Sequence, residues 1–255
     1  ALRLRYADLA GGKTGDAGGA YRALEAAFLA DPSDVALQDR IIEAAEAADE
    51  HEALAKAFSS AMSSLRAADQ SALASKVAHL YDVVLGRPED AEGFYRSVLA
   101  NDPLDEAAFG ALKDLYTNAE RWSELQVLYD KRIDETLDAQ AKLDLLLQVC
   151  FLFEELTADA EAAIGAHRQV LELDPEHSAS RRALERLFER TGRWQDLAVL
   201  LRAELDRANP EEQIGLTQRL GMIHETRLSL PEKAVDHYEQ VLQRDPFLQK
   251  PEHRA

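Results

Sequence analysis

The chain has 255 residues, of which 46% are apolar and 30% charged, a composition that indicates a folded globular protein and argues against disorder. Its formal net charge is −18, and a field of that sign repels nucleic-acid backbones and anionic lipid surfaces. No apolar run reaches membrane-spanning length. Cys150 is the only cysteine, which excludes an intrachain disulfide and a multi-cysteine zinc site.

The negative charge is concentrated in the middle of the chain. Residues 31–102 carry a net charge of −8 and residues 103–174 a net charge of −10. The flanking segments, 1–30 and 175–255, carry only +1 and −1. Such a distribution favours a basic partner, or it serves solubility alone.

Four Asp-Pro pairs mark a long internal repeat. They stand 71, 72 and 71 residues apart, at Asp31-Pro32, Asp102-Pro103, Asp174-Pro175 and Asp245-Pro246. Each follows an apolar helical ending, and proline disfavours the α conformation in the residue before it, so each pair should stop a helix. A fixed period of this kind is typical of a repeat array.

Each period holds four amphipathic stripes with apolar residues three and four positions apart, which predicts two helical hairpins per period and no strand. In chain order the predicted hairpins cover about 1–32, 34–67, 69–103, 105–136, 138–175, 177–208 and 210–246, with 247–255 as a tail or the start of a truncated further repeat. Prolines mark three helix starts, at Pro88, Pro210 and Pro231. Helices should end near Gly86, Glu120 and Gly192.

The hairpins that end in Asp-Pro share a pattern of small, bulky and proline residues. Its helix-B positions are Ala91, Tyr95, Val98 and Pro103, then Ala163, His167, Val170 and Pro175, then Ala234, Tyr238, Val241 and Pro246, with a weaker first set at Ala20, Leu24, Ala27 and Pro32. The small helix-A position falls on Ala78, Cys150 and Gly221. This pattern resembles tetratricopeptide repeats over about residues 1–246, with one extra residue in the turn of these hairpins.

The alternate hairpins depart from that family pattern. They carry Trp122 and Trp194 in the turn, and Leu125 and Leu197 where the family prefers alanine. The resemblance implies an all-α, right-handed α-solenoid of about 13 helices that forms one repeat domain. It also implies an extended concave face for binding other proteins.

Carrying the family register over, the concave face would be lined by one side of each helix A. This gives a candidate partner-binding set of Asp39, Glu43, Glu46, Asp82, Asp114, Glu154, Glu155, Arg182, Arg186 and Arg190. The set is acidic for most of its length and basic at one end, which fits a basic protein or peptide. The alternative is a solvated surface without a specific role.

The sequence contains no constellation that predicts catalysis, a cofactor or a metal. Gly12-Lys13-Thr14 is similar to the end of a phosphate-binding loop, but Ala7 stands where its first glycine is needed. The histidines do not pair at ligand spacing, and Cys150 falls at a close-packing position. The two tryptophans fall at positions where packing between helices is expected.

We therefore expect a non-enzymatic scaffold that holds another protein or peptide, without nucleic-acid binding or membrane insertion. The alternative is a recruiting or regulatory region of a larger enzyme whose catalytic domain lies outside this segment. The resemblance does not separate these functions, because one repeat fold serves many of them. The oligomeric state and the compartment stay open.

Overall fold

A computed structural model describes residues 2–244, and all of its regular secondary structure is helical. The chain divides into two compact units, Ala1–Leu137 and Asp138–Ala255. The first contains α1 (Leu2–Leu9), α2 (Ala17–Phe28), α3 (Val35–Ala48), α4 (His51–Ala61), α5 (Ala67–His79), α6 (Pro88–Asn101), α7 (Glu106–Asn118) and α8 (Trp122–Glu135).

The second unit contains α9 (Ala139–Phe151), α10 (Ala160–Leu173), α11 (Ser178–Thr191), α12 (Trp194–Leu205), α13 (Pro210–Thr226) and α14 (Pro231–Arg244). Within each unit every helix packs against the next one along the chain. An odd-numbered helix and the even-numbered helix after it form one hairpin. Three hairpin helices begin at the prolines expected to start them, Pro88, Pro210 and Pro231.

The turns within the hairpins repeat their backbone conformation. Residues with positive φ form two alternating series. The first, at intervals of 71, 72 and 71 residues, comprises Gly15, Gly86, Ala158 and Ser229. The second, at intervals of 71 and 72 residues, comprises Asp49, Glu120 and Gly192. The double-hairpin period is therefore a property of the backbone as well as of the sequence.

The extra residue of the first, third and fifth hairpins is taken up by a π-helical turn. These turns are Ala10–Thr14, Leu80–Val84 and Leu152–Leu156, and each extends the first helix of its hairpin. A π turn closes hydrogen bonds one residue further along than an α turn, so it absorbs a single insertion without ending the helix. The Gly12-Lys13-Thr14 segment lies in the first of these turns.

Two of the Asp-Pro pairs end a helix directly, as expected, whereas α2 ends at Phe28, three residues before Asp31. Asp102 and Asp174 end α6 and α10 with ψ near 90°, at 92° and 89°. Their carboxylates accept hydrogen bonds from the backbone N–H groups two residues later, at 3.0 Å in both turns. Asp245-Pro246 and the tail 247–255 lie outside the described residues.

The core forms where neighbouring hairpins meet. In the first unit one apolar cluster runs from Ala7 to Leu80, with the rings of Phe28 and Phe58 4.8 Å apart at its centre. At the small helix-A positions, Ala78 and Cys150 are buried. The third of these positions, Gly221, lies directly against Tyr238. Small residues thus permit close approach of the two helices of a hairpin.

The all-α fold class and the period of 71–72 residues are confirmed. The consecutive helical hairpins agree with the resemblance to tetratricopeptide repeats. The described residues form 14 α-helices, one more than the approximate number expected, because residues 2–9 are already helical. The single repeat domain 1–246 and its hairpin limits stay predictions.

The close packing at Gly221 can be tested by adding one methyl group. A Cβ there would lie 2.7 Å from the Tyr238 ring, so Gly221→Ala should force the helices apart and cost about 1–3 kcal/mol of stability. Gly215→Ala on the same helix meets no atom within 4 Å and should stabilise the chain by about 0.5–1 kcal/mol. Urea unfolding measures both variants, and equal stabilisation by the two would contradict the close contact.

Candidate functional site

In the first unit the odd-numbered helices α1, α3 and α5 are joined by side-chain contacts. Arg40 on α3 pairs with Asp8 on α1 at 2.6 Å. Lys76 on α5 donates to Asp39 at 3.1 Å and to Gln38 at 3.0 Å, both on α3. We call the exposed side of α3 that carries Asp39, Glu43 and Glu46, together with these bordering contacts, the α3 face.

Two of the expected partner-binding carboxylates are accessible to solvent on the α3 face. Glu43 and Glu46 are exposed and make no ion pair within residues 2–244. Asp39 differs from them because the Lys76 ammonium already offsets its charge. Lys76 was not among the residues expected from the sequence, since the family register alone does not show which cation faces which carboxylate.

Asp82 is engaged inside its own hairpin. It accepts a hydrogen bond from the Tyr95 hydroxyl at 2.9 Å, and burial together with this bond raises the pKa of Tyr95. Glu154 and His167 repeat the contact at 2.5 Å, and Glu225 and Tyr238 repeat it at 2.7 Å. In each case the carboxylate stands 13 residues before the aromatic ring.

This recurring bond ties the end of the first helix to the second helix in three of the hairpins. Its recurrence gives Asp82 and Glu154 a structural role, which the fixed spacing of 13 residues could have indicated from the sequence. The first hairpin lacks the pair, because Gly11 and Leu24 occupy the corresponding positions.

Asp114 lies on α7 with its side chain 74% exposed. Its nearest cation is Lys113, at 3.9 Å, which is at the limit of an ion pair. The Asp114 carboxylate is therefore available to solvent or to a partner.

In the second unit α9, α11 and α13 are also joined by ion pairs. Glu154 lies 3.6 Å from Arg186, which links the turn after α9 to α11. Arg219 on α13 pairs with Glu185 at 2.5 Å and with Glu189 at 2.8 Å, both on α11.

The remaining charged candidates of this unit are exposed. Arg182 and Arg190 on α11 make no ion pair within the described part of the chain, and neither does Glu155. Arg186 contributes its guanidinium both to the Glu154 contact and to the exposed surface. This surface is therefore richer in free cations than the α3 face.

The two tryptophans are half-buried at the first positions of α8 and α12. The Arg227 guanidinium covers the Trp194 ring, 4.7 Å from its centre. Packing between helices was expected for both rings, and one face of the Trp194 ring packs against the Arg227 guanidinium. Removal of the Trp194 ring should cost less than the loss of a fully buried ring.

Three hydrogen-bonded side chains have the composition of a nucleophilic triad. His167 bonds to Glu154 through Nε2 and lies 3.0 Å from the Ser180 hydroxyl through Nδ1. The exposed fraction of Ser180 is 0%, so a substrate cannot reach its oxygen in this conformation. The arrangement holds α10 to α11 and offers no surface for chemistry.

The thiol of Cys150 is also buried. Burial, with the nearby Glu154 carboxylate, raises the pKa of the Cys150 thiol to about 12, so the nucleophilic thiolate does not form near neutral pH.

Residues 2–244 contain no cluster of three or more side chains that could hold a metal ion. Over the same residues, no helix combines the length and apolarity that crossing a bilayer requires.

His237 on α14 is buried and stacks on His224 of α13, with ring centres 5.1 Å apart. Burial lowers the pKa of His237, and the charges of His224, Arg202 and Lys233 lower it further, while Asp236 opposes them. A proton on His237 is therefore disfavoured in the folded chain.

The hydrogen bond between Asp82 and Tyr95 can be separated from a binding role by its effect on stability. Asp82→Ala should cost about 1 kcal/mol, because it leaves the partly buried Tyr95 hydroxyl without its acceptor. Glu43→Ala, which removes an exposed carboxylate, should stay within about 0.5 kcal/mol of the parent chain. A double-mutant cycle with Tyr95→Phe measures the coupling, and a coupling of zero would remove the structural role.

His237 predicts a pH dependence of stability in the second unit. Since its pKa in the folded chain lies below the ordinary value of 6.5, the unfolded chain binds more protons, and stability should fall as the pH drops below about 6.5. His237→Phe, the residue found at the equivalent position 94, should reduce this loss. Thermal unfolding of the parent chain and of the variant between neutral pH and about pH 5 measures this loss. An equal loss of stability in both chains would contradict the role of His237.

A comparison with curated proteins finds a partial relative. Over 122 residues the chain is 34% identical to cellulose synthase operon protein C of Pseudomonas fluorescens (strain SBW25). The match covers 44% of this chain but only 9% of that protein. A scan against protein-family models finds no match.

Solved structures with similar helical arrangements have low sequence identity. A tetratricopeptide repeat protein from Parabacteroides merdae is 15% identical, with 95% of this chain and 92% of that chain covered and a TM-score of 0.37. The C-terminal part of a TPR repeat-containing protein from Cytophaga hutchinsonii is 14% identical, with 95% of both chains covered and a TM-score of 0.38. At these TM-scores the similarities carry no functional conclusion.

Proposed function

We propose that the chain is a protein-interaction scaffold that binds a basic segment of a partner protein or peptide on the exposed side of its odd-numbered helices, chiefly on the α3 face. The observation that supports this most directly is the pair of exposed carboxylates, Glu43 and Glu46, without a cation of their own. They lie in a segment, residues 31–102, whose net charge is −8. No catalytic role is proposed for the chain.

Electrostatics gives this surface both a reason to bind and a preferred ligand. Like charges gathered on one surface repel one another, and a cationic ligand relieves that repulsion. The same field steers a basic ligand toward the surface and speeds association. Binding of this kind must weaken with salt, because the Debye length falls from about 10 Å at 0.1 M to about 3 Å at 1 M.

The expected binding residues differ in what they can contribute. Glu43, Glu46 and Asp114 are proposed as the main contacts for a basic segment in the first unit. Asp39 is a weaker contact because Lys76 offsets it, and Asp82 is secondary because it holds Tyr95.

In the second unit the proposed contacts divide by charge. Arg182, Arg186 and Arg190 are proposed to meet acidic groups of the partner. Glu155 adds an exposed carboxylate, whereas Glu154 is largely committed to His167.

A second candidate function is a recruiting segment within a larger protein. The 34% identity to a cellulose synthase operon protein, of which this chain matches only 9%, favours it. On this hypothesis the partner is another product of a cellulose synthase operon. Capture experiments with this chain as bait and the purified operon products as candidates would test the assignment. If the chain binds none of these products, the assignment is wrong.

Charge reversal tests the binding surface. Glu43→Lys with Glu46→Lys and Asp114→Lys should abolish partner capture from source cells, because it turns the proposed contacts repulsive. Captured proteins are identified by mass spectrometry, and capture by the parent chain should decline as salt is raised.

The control reverses three exposed carboxylates of even-numbered helices, which changes net charge by the same amount. Glu124 and Glu161 are unsuitable because they pair with Arg121 and Arg193 at 2.9 and 2.7 Å. The control set, free of ion pairs within residues 2–244, is Glu89, Asp134 and Glu135. Equal loss of capture in both triple variants would mean that only net charge matters.

A further inference from the structure

A cavity of about 580 Å³ opens between α3 and α5, beside the start of α4. Its apolar lining includes the buried Leu54 and Leu80 and the more exposed Ile42 and Val84. The polar groups around it are Glu46, His51, Ser75, Lys76 and His79. An apolar interior with a few polar groups is the usual composition of a binding pocket, and ligand pockets span roughly 300–1,000 Å³.

Two of the residues that line this cavity differ from those at the equivalent positions of a later repeat. Two periods later, the position of His51 is occupied by Trp194 and that of Val84 by Arg227. In the second unit these two stack with the guanidinium 4.7 Å from the ring centre. The smaller His51 and Val84 do not form such a stack in the first unit, where both line the cavity.

The charges at the rim also differ from those of the second unit. There, Arg219 pairs with both Glu185 and Glu189, which are the equivalents of Ile42 and Glu46. In the first unit Lys76, the equivalent of Arg219, donates instead to Gln38 and Asp39. Glu46 at the rim therefore makes no ion pair within residues 2–244.

We propose that this cavity is an anchor pocket for one large apolar side chain of the partner, such as leucine, methionine or phenylalanine, with a lysine or arginine beside it that pairs with Glu46. The inference rests on the proposed function, because it uses the same face and deepens the description of the partner. Burial of an apolar anchor supplies affinity that charge alone does not, and it makes binding selective among basic segments.

Two labelled peptides of equal charge test the anchor. One has the sequence Gly-Lys-Lys-Leu-Lys-Lys-Gly, and the other has serine in place of leucine. At low salt the leucine peptide should bind the parent chain about tenfold more tightly, as expected for burying one leucine side chain. Fluorescence anisotropy measures both dissociation constants.

The variant His51→Trp closes the pocket with the residue that the chain itself uses at position 194. It should remove the preference for leucine and leave the serine peptide's affinity unchanged. Ser60→Trp places the same ring on an exposed position of α4 that does not line the cavity, and it should change neither affinity. Ser75→Phe fills the pocket from α5 and gives an independent answer if His51→Trp does not fold by circular dichroism.

The outcomes separate the two proposals. If both peptides bind the parent chain equally, with binding weakened by Glu46→Gln and by salt, the anchor pocket is wrong and the basic-partner surface stands. Equal weakening of both peptides by a filling variant also overturns the anchor. If neither peptide shows salt-dependent binding, both proposals fail.

Discussion

Within each compact unit of this chain, a hairpin can bury its apolar side only against the neighbouring hairpins, and the rest of the structure depends on that constraint. Close approach requires a small residue where the two helices of a hairpin meet, which explains the buried Ala78 and Cys150 and the contact of Gly221 with Tyr238. Neighbouring interfaces must match, so a change in the backbone of one hairpin has to be repeated in the equivalent hairpins along the chain. The π-helical turns and the alternating positive-φ residues recur in this way.

The same constraint decides how far the sequence could predict the fold. Helix limits and stops followed from local chemistry, as at Pro88 and at Asp102, whose effects on the backbone do not depend on distant residues. The extra residue in alternate hairpins was visible, but its accommodation as a π turn was not. An inserted residue can lengthen a loop or widen a helical turn, and the local sequence pattern does not distinguish the two.

Prediction of the site was limited because the sequence does not show which charged side chains pair with one another. Glu43 and Arg182, which the family register places on the binding face, are exposed, and exposure follows helical periodicity. The register could not distinguish Glu46, which has no cation, from Asp39, which has Lys76. Both are carboxylates on the same face of α3, and the difference arises from a lysine 37 residues away. Such contacts depend on three-dimensional neighbours rather than on position within the repeat.

Recurrence separates the residues that build the solenoid from those that are free to serve a partner. Asp82 belongs to the first group, since a carboxylate and its ring partner recur in three hairpins. His51 belongs to the second, since the tryptophan of the later hairpins is lost there and a cavity appears. A packing requirement shared by all hairpins must be met at every period, whereas a partner contacts particular hairpins. Departures from the repeat that leave the core intact are therefore where binding specificity can reside, and the cavity beside Glu46 combines such a departure with an uncompensated charge.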